Sequence, residues 1–231
     1  MRFTSRTTSS AAVALAAMAL AGLAHAGNVA GTVKYAGTAP APKKIEVTKD
    51  HAACAKDAKV VEDLLVGANK GVRNVVVAVQ GVAGAKPPAA KAVLDQKGCH
   101  FNPHVTVVGV GAALDILNND GILHNLHTFS SVNPAFNEAQ PKFKKVMTKT
   151  FAKPETFRIA CDAHNWMSGY VVVTDTAHVA VSDEQGNFSI KDVPAGTYTV
   201  RFWHEKLGEQ TKQVTVAAAG DARADLEFAP K

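Results

Sequence analysis

GNVAGTVKYAG, VRNVVVAVQGV, KAVLDQKGC and HVTVVGVGAALDILNND follow one another between residues 27 and 120, each rich in small or β-branched residues and closed by Gly, Asn, Asp or a proline-bearing turn. LHNLHTFS, TFAKPETFRIAC and GYVVVTD continue the series to residue 175. β-Branched side chains are stiff and fit a pleated surface, while the interruptions stop each run before a helix of useful length forms. Only residues 46–66 leave room for a helical turn. Many short strands with turn residues between them define an all-β chain, a sandwich or a barrel.

From Thr176 the texture changes. Val179 and Val181 alternate on one stretch, Phe188 and Ile190 on the next, and Tyr198, Val200 and Phe202 on a third, with turns at Asp183–Asn187 and Val193–Gly196. This is the pattern of a compact meander. The acidic and amide residues in its turns are spaced too closely for a calcium loop of the EF-hand kind and read as turn formers. VVVTDTAHVAV crosses the junction without a flexible linker, so the boundary is soft.

The N-terminus is set apart. MRFTSRTTSSAAVALAAMALAGLAHA places Arg2 and Arg6 before an apolar middle and ends in Ala24-His25-Ala26, the layout of a secretory signal peptide covering residues 1–26. The apolar part is short for a membrane span. The expected location is the periplasm or the exterior, with no transmembrane segment after cleavage. Losing Arg2 and Arg6 takes the formal charge from +5 to +3, and the remaining positive charges are scattered. Nucleic acid is thereby a poor partner, whereas a weakly acidic redox protein is a suitable one.

Three cysteines in an exported chain leave one over when two pair. Cys54 and Cys99 sit in turn-rich surroundings, and Cys161 has metal-ligand spacing, so a Cys54–Cys99 disulfide with Cys161 reduced is expected. In CDAHNWM, two residues separate Cys161 from His164 and two more separate His164 from Met167. A thiolate with imidazole nitrogens suits copper, and a thioether completes such a site weakly. A second imidazole comes from NNDGILHNLHTF, which offers His124 and His127. Three positions apart on a strand, these point to opposite faces, so one of them joins the site. Asn125 is placed to tie the two ligand loops together, and Trp166 to shield the metal.

Residues 116–173 resemble the copper-binding half of the small blue copper proteins, the plastocyanin and amicyanin branch of the cupredoxins, through NNDGILHNLHTFS and CDAHNWMSGYVVV. The resemblance implies a Greek-key β-sandwich with one mononuclear copper that cycles between Cu(I) and Cu(II). It puts the ligands on His124, Cys161, His164 and Met167, with the two-residue gaps of amicyanin. DEQGNFSIKDVPAGTYTV resembles the small transthyretin-like or carboxypeptidase-regulatory-like β modules, which implies an added C-terminal β-sandwich-like module and no peptidase activity. The opening GNVAGTVKYAG has the same flavour. The expected organisation is a signal peptide over 1–26, an N-terminal β extension over 27–60, a copper domain over 61–175 and the small module over 176–231.

The implied function is transfer of single electrons between redox proteins; copper delivery, storage or sensing is the alternative. Zinc competes for a Cys and two His, but a methionine in fourth position favours copper. An enzyme is not expected, since Cys161 and His164 show neither an orienting third group nor an oxyanion motif in the sequence. His100 and His104 read as a hydrogen-bonded pair beside Cys99, with a second metal site as the alternative.

Overall fold

The computed structural model describes residues 26–57, 59–218 and 220–230. The expected signal peptide lies outside them, apart from Ala26. Along the chain come β1 (Ala26–Tyr35), the helical turn α1 (His51–Cys54), β2 (Val76–Gln80), β3 (Ala92–Gln96), β4 (Phe101–Asn102), β5 (Val105–Gly109) and β6 (Ala113–Asn118). Next are β7 (His124–Thr128), β8 (Asn137–Gln140), β9 (Val146–Thr150), β10 (Glu155–Ala160) and β11 (Ser168–Thr174). The last part holds β12 (Val179–Val181), β13 (Asn187–Pro194), β14 (Gly196–His204), β15 (Gly208–Val216), β16 (Ala222–Arg223) and β17 (Leu226–Phe228). The chain is all-β, and among the described residues no helix is long and apolar enough to cross a membrane.

Two sandwiches result. In the first, the sheet β4-β3-β6-β9 faces the sheet β5-β11-β10-β7-β8. Leu94, Leu114 and Ile116 from one sheet meet Leu126, Phe157, Ile159 and Val171 from the other in a single buried cluster. Each such side chain contributes roughly 1.5–3 kcal/mol by leaving water. The β3–β6 and β5–β11 pairs are parallel, so the connections cross between sheets as they must for parallel neighbours.

The second sandwich places β13-β1-β16, with β17 beside β1, against β12-β2-β14-β15. Val29 and Val33 of β1, Val77 and Val79 of β2, Phe188 of β13 and Phe202 of β14 share its core. β1, whose sequence has the flavour of the C-terminal module, pairs with β13. β2 departs from the expected organisation: it falls within the copper-domain range 61–175, yet it pairs with β14. Alternation shows which face of a strand is apolar, and both sandwiches use the same alternation, so the partner is not written in it. The first sandwich is in effect inserted between β2 and β12 of the second.

A small apolar seam joins the two. Val76, Val105 and Val172 are buried there, and Tyr170 meets Trp203 edge-on at 5.1 Å. His100 and His104 lie beside this seam. Glu62 Oε2 is 3.6 Å from His100 Nδ1 and 3.7 Å from His104 Nδ1, and His104 Nε2 also meets Glu205. The two histidines are thus bound to carboxylates, and among the described residues their nitrogens belong to no convergent set of metal donors. Cys54 and Cys99 form the disulfide, and Cys161 is a free, buried thiol.

Candidate metal centre

The site sits at one end of the first sandwich, where two connections meet. β10 and β11 form a hairpin, with Ala160 opposite Ser168. Its connection, residues 161–167, is pinned by Cys161 N–H to Met167 O at 3.2 Å and Met167 N–H to His164 O at 2.9 Å. Alongside, β7 begins at His124 after a turn in which Gly121 takes φ 72, a left-handed conformation that glycine adopts without a Cβ penalty. Pairing of β7 with β10, Ala160 opposite His127, holds the two connections in register.

Asn125 ties them together. Its Oδ1 accepts the N–H groups of Asp162 at 2.7 Å and Ala163 at 3.1 Å, and its own N–H points at Cys161 Sγ at 3.5 Å. His124 and His127 separate as strand geometry requires. His124 is sealed in the interior, while His127 is partly exposed, stacks on Phe129 and contacts Asp162. The centre therefore gathers His124 Nδ1, Cys161 Sγ and His164 Nδ1. Their separations are 3.8 Å for Cys161–His124, 3.7 Å for Cys161–His164 and 3.1 Å between the histidines. Donors held at about 2.0–2.3 Å from one ion span distances of this size, so the residues fit a three-coordinate His₂Cys set. Met167 is buried in the same cluster as Cys161. Trp166 packs on His164 with ring centres 5.1 Å apart.

Electrostatics prepare the sulfur. Burial favours the neutral thiol of Cys161, but hydrogen bonds from His124, His164 and the Asn125 N–H outweigh it and bring the pKa down to about 6. Burial disfavours a charged imidazole at His124, yet Asp120 and Cys161 outweigh that and lift its pKa to about 9. His164 is raised too: burial opposes its charge, but Cys161 and Asp50 prevail over burial and the neighbouring His124. The surroundings thus favour the thiolate of Cys161, and thiolate is the form that ligates.

His164 is fully buried, its outer edge covered by Asp50 at 2.9 Å. The Cys161–His164 pair also has the orienting carboxylate that the sequence did not reveal, since Asp50 stands 114 positions away. The resulting Cys–His–Asp row has its thiol only 1% exposed. Asp120 plays the matching part behind His124, and its place four residues before that histidine was a signal available in NNDGILH.

Residues 167–229 match the carboxypeptidase regulatory-like domain family. That span opens on Met167 and β11 of the first sandwich and takes in all later strands, about a quarter of the chain. No curated protein matches this sequence. Among solved structures, a methionine-to-alanine variant of amicyanin in its Cu(I) form is similar at 22% identity, with 42% of this chain and 98% of that one covered and a TM-score of 0.33. Amicyanin from Paracoccus versutus is similar at 19% identity, with 42% and 97% covered and the same TM-score of 0.33. A copper-containing nitrite reductase from Thermus scotoductus is similar at 21% identity, over 39% of this chain and 25% of that one, with a TM-score of 0.33.

Proposed function

We propose that this is a periplasmic type 1 copper protein that carries single electrons between redox partners, with His124, Cys161 and His164 as equatorial ligands and Met167 as a weak axial one. The observation that carries the reading is the convergence of two imidazole nitrogens and a lone cysteine sulfur within 3.1–3.8 Å of one another, all three buried. When bound there, copper supplies a one-electron couple between Cu(I) and Cu(II). The chain's part is to hold the donors still. Asn125 fixes both ligand loops, and the donors are buried. Zinc accepts the same three donors, but a soft thiolate beside a methionine suits copper better.

Exposed residues next to His124 suit a protein partner. Phe143 is 81% exposed and Leu123 52%, and Lys142 and Lys145 flank the phenylalanine in the open. Asn118 braces both connections, its Nδ2 donating to Ile122 O and Gln140 O at 2.8 Å. Exposed apolar side chains with lysines beside them in the chain fit an acidic redox protein. The test of the whole reading is the visible and EPR spectrum of the copper-loaded protein together with voltammetry. An intense thiolate-to-Cu(II) band and a reversible couple, both lost in Cys161→Ser, are expected. His124→Gly should regain the band with added imidazole, and His127→Gly should never lose it. Copper loss on reduction would favour delivery or storage; obligate zinc would overturn the cofactor.

A further inference from the structure

Each imidazole of the centre is backed by a carboxylate, and the two carboxylates are themselves connected. Asp120 Oδ2 lies 2.9 Å from His124 Nε2, and Asp50 Oδ2 lies 2.9 Å from His164 Nε2. Asp120 also accepts the N–H groups of Gly98 and Cys99. Asp50 heads the turn α1 with φ 50 and makes no side-chain cap on it. An aspartate at that position ordinarily turns its oxygen onto its own helix; this one turns outward to His164. The Cys54 N–H returns to Asp50 O at 2.9 Å, and Cys54 is bonded to Cys99. Both sulfurs of that disulfide lie within 4.8 Å of a His164 nitrogen, and the Cys99 sulfur within 4.8 Å of donor atoms on Asp120 and His124.

Resting on the copper reading above, we propose that Asp50 and Asp120 are positioning residues for the metal, and that the Cys54–Cys99 disulfide holds them as one clamp. Each carboxylate takes the proton-bearing Nε2 of its histidine, which leaves the Nδ1 lone pair aimed at the centre and fixes the ring. A carboxylate behind an imidazole also makes it a stronger donor. Two negative charges in the outer shell favour the more highly charged Cu(II) over Cu(I). The halves of the clamp differ in strength. Asp120 is 7% exposed and keeps its two backbone N–H bonds whatever happens to Cys54, whereas the Asp50 side chain is 48% exposed. Asp50 is otherwise retained by its own segment, through the disulfide and through Lys49 Nζ donating to Ala163 O at 3.1 Å. Loss of the disulfide therefore loosens the His164 side first, and copper leaves by that side.

The test compares Cu(II) and Cu(I) affinities in the full-length copper-loaded protein. Asp50→Asn keeps an acceptor, removes the charge and sits at a half-exposed position that tolerates it. It should lower the Cu(II)-to-Cu(I) affinity ratio about 10-fold, equivalent to a rise of about 59 mV for a one-electron couple, while keeping the thiolate band. Asp120→Asn should lower the ratio further, within the roughly 10–100-fold range of such partners, and Asp50→Glu should restore it. Cys54→Ala/Cys99→Ala should reproduce the Asp50→Asn shift and accelerate copper removal by a chelator. Long-range ¹⁵N NMR of the Cu(I) protein should find the proton of both histidines on Nε2, and Asp50→Ala should hasten its exchange at His164 alone. A wild-type protein lacking the band refutes the copper reading itself. A wild-type protein with the band, whose Asp50→Asn and Asp120→Asn variants keep the ratio within twofold, overturns the clamp and leaves the copper reading standing.

Discussion

Removing the Asn125 side chain should loosen the centre without touching a ligand. In Asn125→Ala, Asp162 N–H and Ala163 N–H lose their acceptor, and Asn137 Oδ1 loses the donor that stood at 2.7 Å. The three N–H bonds at about 0.5–1.5 kcal/mol net each give a loss of roughly 1.5–4.5 kcal/mol, to which the weak Cys161 Sγ contact with Asn125 Oδ1 at 3.3 Å adds little. Asp162 is exposed, so water recovers part of it, and about 2–3 kcal/mol is the expected destabilisation of the metal-free protein. Urea unfolding followed by Trp166 fluorescence reads this directly, in a Trp203→Phe background that leaves one tryptophan, in the ligand loop itself. Asn125→Asp keeps both accepted bonds and loses only the donated one, so on hydrogen-bond count alone it should cost less than alanine. The copper-loaded alanine variant should also show a broadened thiolate band, because residues 161–163 are no longer fixed to β7. An Asn125→Ala protein within 0.5 kcal/mol of wild type, with an unchanged band, would refute the assignment of Asn125 as the tie between the loops.

Met167→Leu should still bind copper and raise the potential, since a thioether donor is exchanged for a hydrocarbon; voltammetry with an unmoved couple would remove Met167 from the axial place. Glu155 accepts hydrogen bonds from Ser130, Ser131, Val132 and Asn133. Burial opposes its charge, but these donors win and pull its pKa down to about 2. Its stabilisation is fully present above pH 4.5, the ordinary value, and fades as pH falls towards 2. Glu155→Gln should therefore cost about 2 kcal/mol at pH 7, discounted for partial exposure, and much less at pH 2.5; an equal cost at both would contradict this. Electron exchange with an acidic redox protein should slow with rising ionic strength, and Lys142→Glu/Lys145→Glu should abolish that dependence. A salt-independent wild-type rate would move the docking face elsewhere.

The strands and the Cys–His–Met connection were legible in the sequence because their causes are local. Valine runs such as Val171–Val173 specify extended backbone, and CDAHNWM sets a thiol, an imidazole and a thioether on one short connection. The period of a strand separated His124 from His127, and the resemblance to the small blue copper proteins pointed to His124. What escaped detection depends on long-range placement. Asp50 reaches His164 across 114 positions, and nothing near Asp50 marks it as anything but the start of a helical turn. The same holds for β2, whose partner β14 lies more than a hundred residues onward.

That nesting bears on what the chain needs before it can close. Val77 pairs with Phe202, 125 residues further on, so the second sandwich needs nearly the whole chain. The inserted sandwich, residues 81–178 with the segment carrying Cys54, has all its strands ahead of β14. A chain cut after β11 would keep every strand of the first sandwich but leave β1 without β13 and β2 without β14, two unpaired apolar edges of the kind that pair with other chains.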